Sequence, residues 1–237
     1  MSSPIARPDT GKNLAHKSVN ALHRNLSRGT RIDILAERLI PYVRELAGDH
    51  RQFRCVDVGC GDLGILNRIQ QALPNTHWQG LDLYDLPSSL ADDPLWQCYQ
   101  KFDGRSLPFP DQSLDVVLFC DMLHHANGSI PLLMQEARRV GRAVLIKDSF
   151  EYSMYSRWVL KAMDFVGNWG YGVALPDRYF TRKSFEQLCR QSGLVIRQLD
   201  IGVRLYDHLP VLKNLLRPEW HFFAVLTPQD SSSSQGE

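Results

Sequence analysis

One stretch of the chain restricts its fold more than any other: Cys55-Val56-Asp57-Val58-Gly59-Cys60-Gly61-Asp62-Leu63-Gly64, an apolar run that breaks into glycines and passes straight into helical spacing. A strand that turns this sharply into a helix needs residues without Cβ, and the helix start behind it offers free amide hydrogens to a ligand. Read literally, the turn is GxGxxG, a pattern of nucleotide-binding loops that also serves plain chain reversal. The turn predicts an α/β chain with a parallel sheet, and the rest of the sequence keeps that rhythm. Strands are expected over 53–58, 78–83, 98–102, 114–120 and 143–147, alternating with helices over 63–73 and 130–140. A helix over 182–191, capped by Thr181 and closed by Gly193, precedes two more strands at 195–199 and 221–226.

Before the turn, Ile34, Leu35, Leu39, Ile40, Val43 and Leu46 fall at helical spacing over 31–46. Thr30 and Asp33 stand where a cap pair would start that helix, Pro41 is expected to kink it, and a shorter amphipathic piece carrying Val19, Leu22 and Leu26 precedes it. Charge is unevenly spread. Lys plus Arg is 27 and Asp plus Glu is 26, a net +1, yet the first 31 residues set six basic side chains against Asp9 alone. The arm is +5 and the remainder −4, so nucleic acid is not a favoured partner; the arm reads as a solvated tail, or as a weak contact for RNA or an anionic surface. A basic start without an apolar stretch is no secretory signal, and no window approaches the roughly 18 apolar residues of a spanning helix. Five scattered cysteines without a CxxC pair or clustered histidines indicate a reduced, cytoplasmic chain in which no metal site is expected. One domain over 13–228 is expected. It comprises N-terminal helices (13–48), a ligand-binding core (49–148), an aromatic insertion (149–180) and a C-terminal helix and hairpin (181–228), between flexible tails at 1–12 and 229–237.

Acids at strand ends narrow the ligand. Asp57 lies two residues before the first glycine, where a carboxylate favours a cation over a pyrophosphate. Asp82 ends the second strand and can accept from two ribose hydroxyls, while Asp103-Gly104 ends the third. Each could instead cap the next element, as Asp62 is expected to do, and Asp103 before Gly104 is also a common turn opening.

With these residues in order, 53–148 resembles the class I S-adenosylmethionine-dependent methyltransferases, in particular the small-molecule, type 11-like branch. Asp57-Val58-Gly59-Cys60-Gly61 is similar to that family's first motif, Asp82 to its ribose acid, Asp103 to its adenine-side acid, and Leu107-Pro108-Phe109 through Cys120 to Leu123-His124-His125 to its fourth-strand block. The resemblance implies a Rossmann-like three-layer sandwich whose seven-stranded, mostly parallel sheet ends in a reversed hairpin. It also implies S-adenosylmethionine as cofactor: Gly59, Cys60 and Gly61 around the methionyl part with Asp57 beneath, Asp82 on the ribose, Leu83 on adenine, Asp103 and the Gly104 backbone at the adenine edge, Cys120 closing the fourth strand, and Arg31 near the cofactor carboxylate.

The implied chemistry is methyl transfer to a small, apolar or aromatic acceptor. His124 and His125, at the carboxyl edge, are candidates for the base that a protonated acceptor requires, or else simply cap the strand. After the fifth strand, nine of the chain's 23 aromatic residues fall between Phe150 and Phe180. They suggest a wall over the substrate with Asp148, Tyr155, Asp164, Asn168 and Tyr179 facing it, although Tyr155, Trp158, Val159, Met163 and Val166 at helical spacing equally describe core. The enzymes of this fold that methylate base amines carry Asn or Asp before Pro-Pro-Tyr after strand four; Cys120-Asp121-Met122-Leu123 differs. Two other readings share the glycine turn: a nicotinamide-dependent oxidoreductase, and a non-catalytic module that binds the cofactor.

Overall fold

Strands β1 (Phe53–Val58) and β4 (Leu114–Cys120) are buried along almost their whole length, because both faces of the sheet they centre are covered by helices. The computed structural model describes residues 10–50, 52–85, 94–126, 128–167, 175–207 and 216–229. Around this centre the order is β3-β2-β1-β4-β5-β7-β6, with β2 at Thr76–Asp82, β3 at Tyr99–Lys101, β5 at Gly141–Ser149, β6 at Leu194–Ile201 and β7 at His221–Pro228. The first five strands run parallel; β7 lies antiparallel between β5 and β6, with Ile146 opposite Ala224 and Leu199 opposite Ala224 on the other side. The expected reversed hairpin is present, with a register shift at Ile196/Gln198.

Alternation along the strands divides the core. Val56, Val58, Val117, Phe119, Val144 and Ile146 face α3 (Ile130–Val140) and α5 (Arg182–Gln191), whose Leu133, Met134, Phe185 and Leu188 complete that layer. Cys55, Val116, Leu118, Ala143 and Leu145 face α1 (Thr10–Ala47) and α2 (Gly64–Ala72) through Leu35, Leu39, Val43, Leu66 and Ile69. The result is the three-layer sandwich. α5 begins as its residues foretell: Thr181 Oγ1 accepts from the Ser184 amide at 3.1 Å and Ser184 Oγ from the Thr181 amide at 2.9 Å.

The N-terminal helix differs from expectation. α1 is one continuous helix through Thr30 and Asp33, with Pro41 inside it. Asp33 is taken by Arg68 of α2, so its carboxylate serves packing between helices and starts nothing. Buried Leu39 and Val43 hold the helix on both sides of the proline. α4 (Met154–Gly167) follows β5, and no helix among the described residues is long and apolar enough to cross a membrane. Residues 1–9 of the basic arm, the tail from 230 onward, and Asn168, Trp169 and Tyr171 lie outside the described residues.

Candidate cofactor and acceptor site

β1 has its two parallel partners leading to opposite edges of the sheet, so the loops leaving β1 and β4 diverge and open a crevice at their carboxyl ends. The glycine turn fills its floor. Gly59 and Gly61 have φ of +79° and +56°, and the Gly59 and Cys60 amides both donate to the Leu81 carbonyl, at 2.7 and 3.1 Å. A Cβ on Gly59 would lie 2.3 Å from Met122 Cγ, so glycine is required by conformation and by space. Asp82 ties the turn to β2: Oδ2 accepts from the Gly61 amide at 2.8 Å and Oδ1 from the Leu83 amide at 2.7 Å. The Cys60 side chain packs toward Gly80, and burial raises its thiol far above the ordinary range, so it acts as a small neutral filler.

Asp57 is the unusual member. It is 2% exposed, its Oδ1 has no partner, and desolvation, reinforced by the charges of Asp82 and Asp62, pushes it up to about 7. A buried, unpartnered carboxylate oxygen beneath a glycine turn is a receptor for a cation. On the β2 side Leu83 is half exposed and overhangs Gly104, where a Cβ would stand 2.7 Å from Leu83 Cδ2; this leaves an apolar shelf. Asp103 is exposed, and its Oδ1 accepts from the Arg105 and Ser106 amides at 2.8 Å each, which lowers its pKa. The turn-opening role is thus taken by one of its oxygens. Asp62 accepts from the Gly64 amide at 3.1 Å, at the start of α2. Cys120 is buried, with its thiol raised by the same desolvation.

Beyond the turn, the ends of β4 and β5 carry a cluster of opposite charges. Asp121, in a left-handed conformation, accepts from Arg31 Nη2 at 2.7 Å and Lys147 Nζ at 2.5 Å; despite burial these cations hold its carboxyl far below the usual range. Arg31 is therefore brought to Asp121, with its Nε unpartnered. His124, 4% exposed, puts Nδ1 2.6 Å from Asp148 Oδ1 and Nε2 3.3 Å from Asp164 Oδ2. Burial lowers its pKa, but the two carboxylates outweigh that and lift it to about 10. Carboxylates on both ring nitrogens favour the protonated imidazole. Asp148 also accepts from the Ser149 amide at 2.7 Å, and Asp164 accepts from the Tyr179 hydroxyl. His125 is half-buried, its ring centroid 4.2 Å from that of His124.

Asp121, Lys147, Ser149 and His221 were not singled out from sequence. Desolvation, aided by Lys147, lowers His221 to about 3, and its Nδ1 lies 3.1 Å from Ser149 Oγ. The available signal was Lys147-Asp148 at the end of an otherwise apolar strand, where two charges have no reason to be buried unless paired. Between this cluster and Leu160, Met163 and Leu216 remains a small space of about 10 Å³, room for roughly one water. The aromatic insertion divides. Phe150, Tyr179 and Phe180 are core, with Phe150 stacked on Phe222 at 4.0 Å; Tyr155, Trp158 and Phe165 on α4 are about half exposed or more, Tyr155 lying edge-on to Trp220.

This crevice, with glycines at its floor and an unpaired acid beneath them, defines a Rossmann-like binding domain for a cationic nucleoside cofactor. Residues 56–143 match the family model described as a methyltransferase domain. Among solved structures, a sarcosine dimethylglycine methyltransferase assigned in Galdieria sulphuraria shares the fold with a TM-score of 0.60 at 13% identity, over 83% of this chain and 86% of that one. The methyltransferase partner of the Haloferax volcanii Trm112 activator gives 0.57 at 14%, over 88% and 97%. An S-adenosylmethionine-dependent methyltransferase of Mesorhizobium loti gives 0.55 at 16%, over 79% and 96%. A comparison with curated proteins gives no sequence match. Residues 56–143 thus carry the methyltransferase-domain pattern on a fold shared with S-adenosylmethionine-dependent methyltransferases, which implies S-adenosylmethionine as cofactor. The residues present fit that cofactor: the orphaned Asp57 oxygen suits an ammonium, and the shelf of Leu83 over Gly104 suits a flat base.

Proposed function

We propose that this methyltransferase acts on a small organic acceptor with an apolar or aromatic body, whose reacting polar atom faces the cluster at the ends of β4 and β5. The observation that carries the reading is adjacency. The unpartnered Asp57 oxygen and Asp121, His124 and Asp148 lie at or just beyond the carboxyl ends of neighbouring or next-neighbouring strands, and α4, which carries Asp164 and exposed aromatics, follows directly. S-adenosylmethionine supplies an electrophilic methyl group and departs as S-adenosylhomocysteine. The chain's own residues then orient and desolvate: Asp57 and the Gly59–Gly61 turn hold the methionyl end, Asp82 the ribose, Leu83 and Gly104 the base, with Asp103 at its edge. Alignment and exclusion of water supply most of the rate in such a displacement. The space under α4, about 10 Å³ in this conformation, is where such an acceptor would enter. His124, held between Asp148 and Asp164, positions the cluster.

The acceptor is read as neither RNA nor DNA, and the reaction is placed in the cytoplasm, which fits five cysteines that are all free. Residues 13–228 are read as one domain. The test is methyl-labelled S-adenosylmethionine with a panel of phenols, amines and apolar acids, alongside calorimetry with S-adenosylhomocysteine and NAD. Label on apolar acceptors and binding of the homocysteine product support the reading. Label confined to highly charged acceptors refutes it, and binding without any transfer points to a non-catalytic module.

A further inference from the structure

His124, His125 and Asp164 each offer a ligand atom, and these atoms all lie within 4.8 Å of one another. The separation of two of them is informative. His124 Nε2 and Asp164 Oδ2 are 3.3 Å apart, yet Nε2 makes no hydrogen bond although it is fully buried. Two donors held about 2.0–2.1 Å from one tetrahedral ion stand about 3.4 Å apart. The outer contacts repeat the logic of a metal centre. His124 Nδ1 is fixed by Asp148 Oδ1 at 2.6 Å, the carboxylate–histidine arrangement that orients a ligand imidazole, and Asp164 is steadied by the Tyr179 hydroxyl.

We infer that His124 Nε2, Asp164 Oδ2 and a ring nitrogen of His125 form a binding site for one divalent, zinc-class ion. Two imidazoles and one carboxylate suit borderline ions better than magnesium, which prefers oxygen and keeps its waters. Three protein ligands leave a fourth position open, the arrangement of a catalytic and not a structural site. On binding, the ion replaces the proton on His124 Nε2, which passes to solvent; metal–nitrogen and metal–oxygen bonds form where one N–H bond is lost. The open position would take a hydroxyl or carboxyl oxygen of the acceptor, and the ion would tie α4, through Asp164, to the end of β4. Sequence spacing could not show this site, because Asp164 arrives from another element.

The site is tested without turnover. Zinc chloride is titrated into the full chain by calorimetry, metal is counted after gel filtration, and the visible bands of a cobalt-substituted sample are recorded. One equivalent of zinc with cobalt bands of nitrogen–oxygen ligation is expected. His124→Ala should abolish uptake, Asp164→Asn should weaken it at least about tenfold, and Asp148→Asn about 10–100-fold through loss of the orienting carboxylate. Each variant's binding of S-adenosylhomocysteine checks that it is folded, and Asp164→Asn keeps the test open should His124→Ala not fold. Absence of saturable zinc uptake by chain that binds S-adenosylhomocysteine would overturn the site, leaving an imidazolium between two carboxylates. Uptake unchanged in both His124→Ala and Asp164→Asn would overturn it equally. Neither result depends on whether an acceptor has been found, so the metal site and the methyl-transfer reading fail separately.

Discussion

Replacing Asp57 by Asn removes one charge from beneath the glycine turn while keeping its shape. Burial, with Asp82 and Asp62 adding like charge, raises Asp57 from an ordinary 3.8 to about 7, and no partner compensates its Oδ1. That displacement corresponds to about 4 kcal/mol between protonated and ionised forms. Water reaching the carboxylate relieves part of it, so about 2–4 kcal/mol is the working range. The native state holds this proton more tightly than the unfolded chain. The wild-type contribution is therefore fully present below pH 3.8 and is lost as pH rises through about 7. Denaturant unfolding of the cofactor-free protein at pH 4.5, 7 and 8.5 should show Asp57→Asn close to wild type at the lowest pH and more stable by about 2–4 kcal/mol at the highest. Binding moves the other way. The lost charge-assisted contact to an ammonium costs about 1.5–3 kcal/mol, so S-adenosylhomocysteine should bind roughly 10–100-fold more weakly by calorimetry. A variant no more stable than wild type at pH 8.5, or one that binds the ligand unchanged, would show that Asp57 is neither a destabilising buried charge nor a contact to the ammonium.

Gly59→Ala forces a Cβ onto φ +79° and toward Met122; a loss of about 2–4 kcal/mol in denaturant unfolding is expected, with ligand binding abolished. Glu151 is 4% exposed and accepts from Arg157 at 2.7 and 2.8 Å, from Arg178 at 3.1 and 3.2 Å and from the Tyr179 amide at 3.2 Å. Glu151→Ala should cost about 1–3 kcal/mol, measured the same way, because the buried Tyr179 amide loses its acceptor while Arg157 and Arg178 turn to water. Trp158 is 66% exposed on α4, so Trp158→Ala should change stability by no more than about 0.5 kcal/mol while altering the KM for an apolar acceptor. An unchanged KM would remove α4's aromatic face from the acceptor site.

The elements read correctly from sequence are those whose signals are local. β1 and β4 are short apolar runs stopped by glycine or charge, and α3 and α5 have a clear period, α5 with a reciprocal Thr181/Ser184 cap; all four span the residues expected. α1 was misdivided because Thr30 and Asp33 carry a start signal that α2 overrides by engaging Asp33 with Arg68. β3 is shorter than expected, three residues on an edge with one partner, where a run of strand-like residues has no second neighbour to extend it. In the crevice the same division holds. Asp57, Gly59, Gly61 and Asp82 act through contacts within one βαβ unit, so their spacing alone placed them together. Asp121, Lys147 and His221 gain their meaning only when β4, β5 and β7 lie side by side and α1 delivers Arg31, which no spacing along the chain encodes.

That cluster is difficult to explain by stability. Arg31, Lys147 and His124 alternate with Asp121, Asp148 and Asp164, and the set is neutral when all six are charged. Pairs taken out of water seldom add to stability over apolar groups of the same volume, and breaking one leaves an expensive lone charge. Their arrangement does have a mechanical consequence. Arg31 belongs to α1 and Asp164 to α4, while the partners of both sit at the ends of β4 and β5, so opening either helix separates opposite charges. A purely apolar acceptor entering beneath α4 would leave those charges uncompensated. An acceptor that offers a polar atom where a partner was withdrawn would restore the balance, which supports the proposed acceptor, an apolar body with one polar, methyl-accepting end.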